Sequence, residues 1–268
     1  MTTLDILICT LNEGINKVAS VLLPQQEGVR YVVSWQQDGY QCDIPLALLR
    51  SDVTVVTLPV RGLSRNRNNA IAHSTADICL IADDDVAYTP DAFRAVIDMF
   101  EGNPHLDVAT FRSQSAFEKK QFPDYSFSLA KPAKGYYVTS FEIAFRRTSI
   151  AGRLSFNELL GLGAPVLHAG EESVFIIEAA RSGLNCRYFP ITIVTHNHPT
   201  TGVNPVQTPG TIMAQGAYIH IAYRNCTAPL RYVLKAWRMS RSTRTGFFRA
   251  LYYIIKGAAY AKRHLNIL

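Results

Sequence analysis

Asp83-Asp84-Asp85 are three consecutive carboxylates that follow directly on five apolar residues, 78–82. An apolar run of that length without alternation predicts a strand buried on both faces. Unpaired charge cannot share that burial, so the chain must leave the sheet here, with the acids at the strand's carboxyl end. Open α/β sheets bind their ligands along that edge. Three adjacent like charges repel, and a divalent cation relieves the repulsion; oxygen donors favour Mg²⁺ or Mn²⁺ over zinc. A cation held there could hold a diphosphate. The plainer alternative is a solvated acidic turn that caps the next helix.

Three other groups carry chemistry. Gly170-Glu171-Glu172 opens an apolar helix over 171–182, although acids in a first turn are also favoured by the helix dipole alone. Glu142 interrupts an otherwise apolar strand, 136–145, where it either meets a substrate or pairs with a core arginine. His196-Asn197-His198-Pro199 ends the last strand segment.

The elements that must position these groups alternate. Strands are expected at 4–9, 29–35, 52–58, 78–82 and 106–111. A first helix should start with Asn12 as cap and run to Leu23 before Pro24. A short helix is expected at 45–50, and another over 65–73 with Ser64 as cap. Thr89-Pro90-Asp91 is a strong start for a helix to about Phe100. This rhythm predicts an α/β fold, a mostly parallel sheet with helices on both faces. From Arg112 the rhythm breaks. Residues 113–135 are polar, with Phe117, Phe122, Tyr125 and Phe127 among them, and a loop that long is functional or mobile. Short strands at 186–189 and 191–195 should be separated by Pro190.

The chain has 268 residues, 48% of them hydrophobic, enough for a large core. Its first residues lack the basic and apolar regions of a signal peptide, and no stretch has the apolar length of a membrane span. The five cysteines form no CxxC pair; their odd number and wide spacing point to a reducing, cytoplasmic compartment. The net charge of +6 is unevenly placed. Residues 1–178 hold 15 Lys and Arg with all 21 Asp and Glu, whereas the remainder holds 12 Lys and Arg and no acid. A basic C-terminal third should meet something anionic. Within it, Leu230, Val233, Leu234 and Trp237 form one apolar helical stripe, and Phe247, Phe248, Leu251, Ile254, Ile255, Ala258 and Ala259 form a second. Both are flanked by Arg and Lys. They either pack onto the sheet or lie at a membrane interface.

Five stretches, in order, resemble the inverting GT-A glycosyltransferases of family 2. Residues 4–13 resemble the opening strand that ends in Thr-x-Asn. Arg61-Gly-Leu-Ser-Arg-Asn-Arg-Asn68 resembles the Gly-x-Ser-x-x-Arg-Asn helix, and residues 76–85 the strand ending in Asp-x-Asp. Gly170-Glu-Glu172 resembles the Glu-Asp helix, and residues 188–196 the strand pair ending in His. The resemblance covers about residues 4–200. It implies a Rossmann-like GT-A catalytic domain over 1–203, with a nucleotide-sugar half at 1–111 and an acceptor half at 112–203. A basic amphipathic helical extension follows at 204–268.

The resemblance also implies a UDP-sugar donor and a Mn²⁺ or Mg²⁺ ion bridging its phosphates. Asp85 is then the metal ligand, with Asp83 near ribose and metal and Asp84 at the variable middle position. His196 completes the metal shell in some members, with His198 as a stand-in. Thr10, Asn12, Glu13 and Arg67 fall at the nucleotide pocket. The family's Asp-Asp-Gly-Ser turn is Gln36-Gln37-Asp38-Gly39 here, so Asp38 takes the base-reading position. The catalytic base falls on Glu172, where the family has Asp, or on Glu171. The implied reaction transfers a hexose or N-acetylhexosamine with inversion, in surface-polysaccharide (O-antigen type) synthesis. The acceptor is a saccharide on polyprenyl diphosphate. The enzyme would sit peripherally at the inner face of the plasma membrane, touching anionic lipid through residues 224–268, and no nucleic acid is expected. Two rivals are a nucleotidyltransferase, which would need a Gly-rich N-terminal signature absent from residues 4–13, and a lipid- or nucleic-acid-binding module, which would leave the acids idle.

Overall fold

The computed structural model describes residues 1–117, 120–196, 208–223 and 226–265. They form two compact units: residues 1–61, 65–155 and 179–199, and residues 62–64, 156–178 and 200–268.

The first unit holds the sheet. Its strands are β1 (Leu4–Leu11), β2 (Val29–Gln36), β3 (Val53–Leu58), β4 (Ile78–Asp83), β5 (Val86–Ala87), β6 (Val108–Ser115), β7 (Phe127–Ser128), β8 (Ile143–Arg146) and β9 (Cys186–His196). Helices α1 (Leu63–His73), α2 (Pro90–Glu101) and α3 (Arg147–Ile150) lie between them in the chain. The sheet order is β3-β2-β1-β4-β8-β6-β9-β5, with β7 on β9. Strands β3, β2, β1 and β4 are parallel neighbours, and Cys9 of β1 lies opposite Asp83 of β4. Thr10 and the acids therefore gather at the same carboxyl-terminal edge of the sheet. The core is continuous across these strands: Leu4, Ile6, Ile8, Leu80 and Ala82 are wholly buried with Tyr31 and Trp35. This is why the parallel strands read as unbroken apolar runs. Thr89 caps α2 as its sequence promises, its Oγ1 accepting from Ala92 N at 3.2 Å.

Four sequence expectations are corrected. Residues 12–23 form two 3₁₀ turns, Asn12–Asn16 and Val18–Ser20, instead of a capped helix. Asn12 has φ of +50° and lies within the first turn, not before it, and its Oδ1 is directed to Asp38 N at 3.0 Å. Ser64 lies inside α1 and donates to Leu160 O at 2.7 Å. Residues 186–196 are one strand: β9 carries extra residues opposite the register shifts at Thr110–Ser113. A bulge of this kind accommodates a proline that a regular ladder would reject. Finally, 136–145 is not one strand. Ser140–Glu142 is a 3₁₀ turn closed by a capping box between Thr139 and Glu142, and only Ile143 starts β8. The Thr-x-x-Glu spacing is the signature of that box.

The second unit is largely helical. It contains the start of α4 (Glu171–Arg181), followed by α5 (Pro209–Ala222), α6 (Ala228–Ser242) and α7 (Phe247–His264). No helix of the described residues is long and apolar enough to cross a membrane. Helices α5 and α7 pack backbone to backbone through two glycines. A Cβ on Gly216 would overlap the carbonyl oxygen of Ile254, and one on Gly257 would overlap that of Met213. By intrinsic propensity, alanine would stabilise either helix by about 1 kcal/mol. Overpacking costs roughly 1–3 kcal/mol. We therefore expect Gly257→Ala to lower the thermal midpoint, the opposite of what propensity alone would give; thermal melting followed by circular dichroism reads the sign.

The cysteines divide by burial. Cys9, Cys79 and Cys186 are buried, and Cys42 and Cys226 are exposed. Burial pushes each of the three buried thiols up to about 12, so they hold their protons near pH 8. The thiolate is the species that alkylates. Native protein at pH near 8 should thus label at Cys42 and Cys226 only, as read by peptide mass spectrometry, and all five should label after unfolding.

Candidate active site

Strand β4 delivers Asp83 at its last residue, and the next two acids turn out of the sheet. Each of the three carboxylates has its own partner. Asp83 accepts from Ser140 Oγ at 3.1 Å and lies 3.7 Å from Arg67 Nη2. Arg67 is itself buried. Asp84 accepts from Thr10 Oγ1 at 2.5 Å. Asp85 Oδ2 lies 3.3 Å from His196 Nε2, and the His196 ring is stacked on Phe141 at 5.1 Å and 13°.

Burial holds the Asp83 carboxyl above the usual carboxylate range. The Arg67 guanidinium opposes that shift and the charge of Asp85 reinforces it. Asp84 is raised too, by burial and by its two acidic neighbours, against the Thr10 hydrogen bond. Negative charge is therefore costly at this edge, which is the condition a cation relieves. Among the described residues, no three His, Cys, Asp or Glu are grouped to hold a metal ion. What stands ready is the Asp85–His196 pair with Asp83 beside it. That donor set fits Mg²⁺ or Mn²⁺, because such ions are held by one or two carboxylates and complete their shell with substrate phosphates and water. His198 lies outside the described residues.

The loop after β1 gathers the other nominated residues. Asn12 and Asp38 meet through the bond already described, and Trp35 Nε1 donates to Asn12 O at 2.9 Å. Asp38 also lies 3.5 Å from Arg61 Nη1, both side chains being exposed. Glu13 is exposed and Thr10 buried. Two residues that were not singled out belong here. Asn66 Nδ2 donates to Thr10 O at 3.0 Å, so α1 is tied to the strand end. Gly14 leaves room for the Thr10–Asp84 bond, since a Cβ there would overlap both side chains. A glycine two residues after Asn12 was the available signal.

Ser140 and Phe141 were also missed, because the region read as a strand. With Glu142 they put three successive side chains to work. Glu142 is fully buried, and the cation it pairs with is a lysine and not a core arginine. Its carboxylate accepts from Lys120 Nζ at 2.6 and 2.8 Å, from Ser113 Oγ at 2.7 Å and from Thr139 N at 3.0 Å. Lys120 lies over the rings of Tyr137 and Phe122 at 4.2 and 4.8 Å. Removing one partner of a buried pair strands the other, at a cost of roughly 3–5 kcal/mol. The aromatics of the 113–135 stretch are organised as well: Phe122 and Phe127 stack on Tyr188, and Arg112 donates to Tyr188 Oη at 3.0 Å and to Pro123 O at 2.7 Å.

Glu171 and Glu172 start α4 after Gly170, whose φ is +89°. Their surroundings differ. Glu171 is buried with its carboxylate against Gly161, where a Cβ would come within 2.9 Å of Cδ. Glu172 is half-buried. Of the two, Glu172 is the more exposed.

A family model described as Glycosyl transferase family 2 matches residues 43–156, a span that includes Arg67, the three acids and Glu142. The fold is similar to that of S. aureus TarS 1–349 solved in complex with UDP. The TM-score is 0.60 at 14% identity, over 98% of this chain and 92% of that one. The structure of TarS 1–349 in complex with UDP-GlcNAc matches with the same figures. Full S. aureus TarS matches over 55% of its length. No curated protein sequence matches the chain. The fold is GT-A, and the family match supports a glycosyltransferase.

Proposed function

We propose that the protein transfers a hexose or N-acetylhexosamine from a UDP-sugar to a saccharide hydroxyl, with inversion at the anomeric carbon. The observation that carries the reading is the Asp85–His196 pair beside Asp83. Residues 111 positions apart in sequence meet at the carboxyl end of β4, on a fold whose TarS neighbours were solved with UDP and UDP-GlcNAc. Asp85, Asp83 and His196 would hold Mn²⁺ or Mg²⁺, which supplies positive charge for the departing diphosphate. Arg67 holds Asp83 in place, and Thr10 holds Asp84. Thr10, Asn12, Glu13 and Asp38 line the nucleoside side.

Glu172 takes the proton of the acceptor hydroxyl as its oxygen bonds to the anomeric carbon and the bond from that carbon to the diphosphate oxygen breaks. UDP leaves, and Glu172 later loses its proton to water. We assign the acceptor to a saccharide on polyprenyl diphosphate, in surface-polysaccharide synthesis on the cytoplasmic side.

The test is UDP release from a panel of UDP-sugars with Mn²⁺, with and without lipid-linked acceptors, and the product anomer read by NMR. An α-linked donor should give a β-linked product, and chelation should stop turnover. Retained configuration, or turnover that survives chelation, overturns the corresponding part of the reading.

A further inference from the structure

Helix α6 has two apolar sides. Ala228, Ala236 and Met239 are buried. At 100° per residue, Leu230, Val233, Leu234 and Trp237 lie about half a turn away, and all four are exposed. Helix α7 repeats the pattern. Ala250, Ile254, Gly257, Ala258 and Ala261 face inward, while Phe248, Tyr252 and Ile255, at positions i, i+4 and i+7, are exposed, Phe248 at 83%. The first stripe read from the sequence therefore faces water throughout, whereas the second divides: Ile254 and Ala258 are core, and Phe248 and Ile255 face water. Cations are folded over the outward aromatics, Arg241 5.2 Å from the Trp237 ring and Lys256 5.4 Å from the Tyr252 ring.

An apolar stripe exposed to water is a binding surface in waiting, and charge decides what it binds. The chain has no acid after Glu178, and α6, α7 and the residues joining them carry Arg231, Lys235, Arg238, Arg241, Arg244, Arg249, Lys256, Lys262 and Arg263. A second copy of the same face would meet like charge with like. We propose that the outward stripes of α6 and α7 dock on an anionic phospholipid bilayer. The aromatic and aliphatic side chains enter the headgroup boundary, and the guanidinium and ammonium groups sit on lipid phosphates. The docking needs no donor chemistry, so it stands or falls apart from the transferase reading.

Trp237 is a built-in reporter, because the other tryptophan, Trp35, is buried. The full chain is mixed with vesicles of phosphatidylglycerol and phosphatidylcholine, or of phosphatidylcholine alone, at rising salt. We expect co-sedimentation with the anionic vesicles only, a blue shift of Trp emission on binding, and loss of binding as salt screens the charges. Joint replacement Trp237→Ser and Phe248→Ser removes exposed side chains. It should leave the thermal midpoint and turnover on a soluble acceptor unchanged while lowering vesicle partitioning by about tenfold or more. The proposal is overturned by vesicle binding that is absent, or insensitive to the substitutions. It is equally overturned by a dimer in sedimentation velocity that the substitutions dissolve, or by RNA binding tighter than vesicle binding.

Discussion

Asp85→Ala is expected to abolish measurable transfer while the protein still folds. The side chain is partly exposed, and among the described residues its polar partner is His196, so little core packing is lost. What disappears is the carboxylate that would hold the cation against the leaving diphosphate. Losing one element of transition-state charge stabilisation costs a factor of about 10²–10³, and a bound cation carries more charge than a single donor. Turnover at saturating UDP-sugar should therefore fall at least about a thousandfold, and raising Mn²⁺ should not restore it. Steady-state kinetics over a Mn²⁺ titration, beside a thermal melt, separates this from misfolding. Unchanged turnover would remove Asp85 from the chemistry.

Glu172→Gln is expected to bind donor at the parental affinity and to transfer slowly. The amide keeps the shape of the side chain and its hydrogen-bonding reach but cannot accept a proton as a carboxylate does. A positioned general base contributes about 10²–10⁴ in rate, and the loss should fall on kcat. Donor affinity by calorimetry, set against single-turnover rates, distinguishes a lost base from a lost binding contact. Glu171→Gln should behave differently. Its carboxylate is packed against Gly161, so the change registers in thermal stability before it registers in rate. If the two variants exchange phenotypes, Glu171 is the base.

Local pattern was sufficient wherever one strand decided a position. The apolar run at 78–82 forces the acids to the sheet edge, Thr89-Pro90 starts α2, and the order of the motifs matches a GT-A chain. The pairs that hold the site were not legible, because they join distant positions. Asp85 and His196, Asp83 and Ser140, and Glu142 and Lys120 meet only after β8 and β9 take their places in the sheet. The apolar character of 136–145 looked like one strand, although Thr139 and Glu142 stood at capping-box spacing. Burial also added what sequence could not supply: Arg67 lies in the interior beside Asp83, and Glu171 is buried where Glu172 is not.

The turn Ser140–Glu142 touches Asp83, His196 and Lys120 with three consecutive side chains. Changing any one residue leaves the other two in phase. Adding or deleting a residue in this turn would rotate all three out of phase at once, orphaning a buried carboxylate and loosening two of the acidic edge's neighbours together. This stretch of backbone therefore tolerates variation in composition far better than variation in length, although it is neither a helix of any size nor part of a strand.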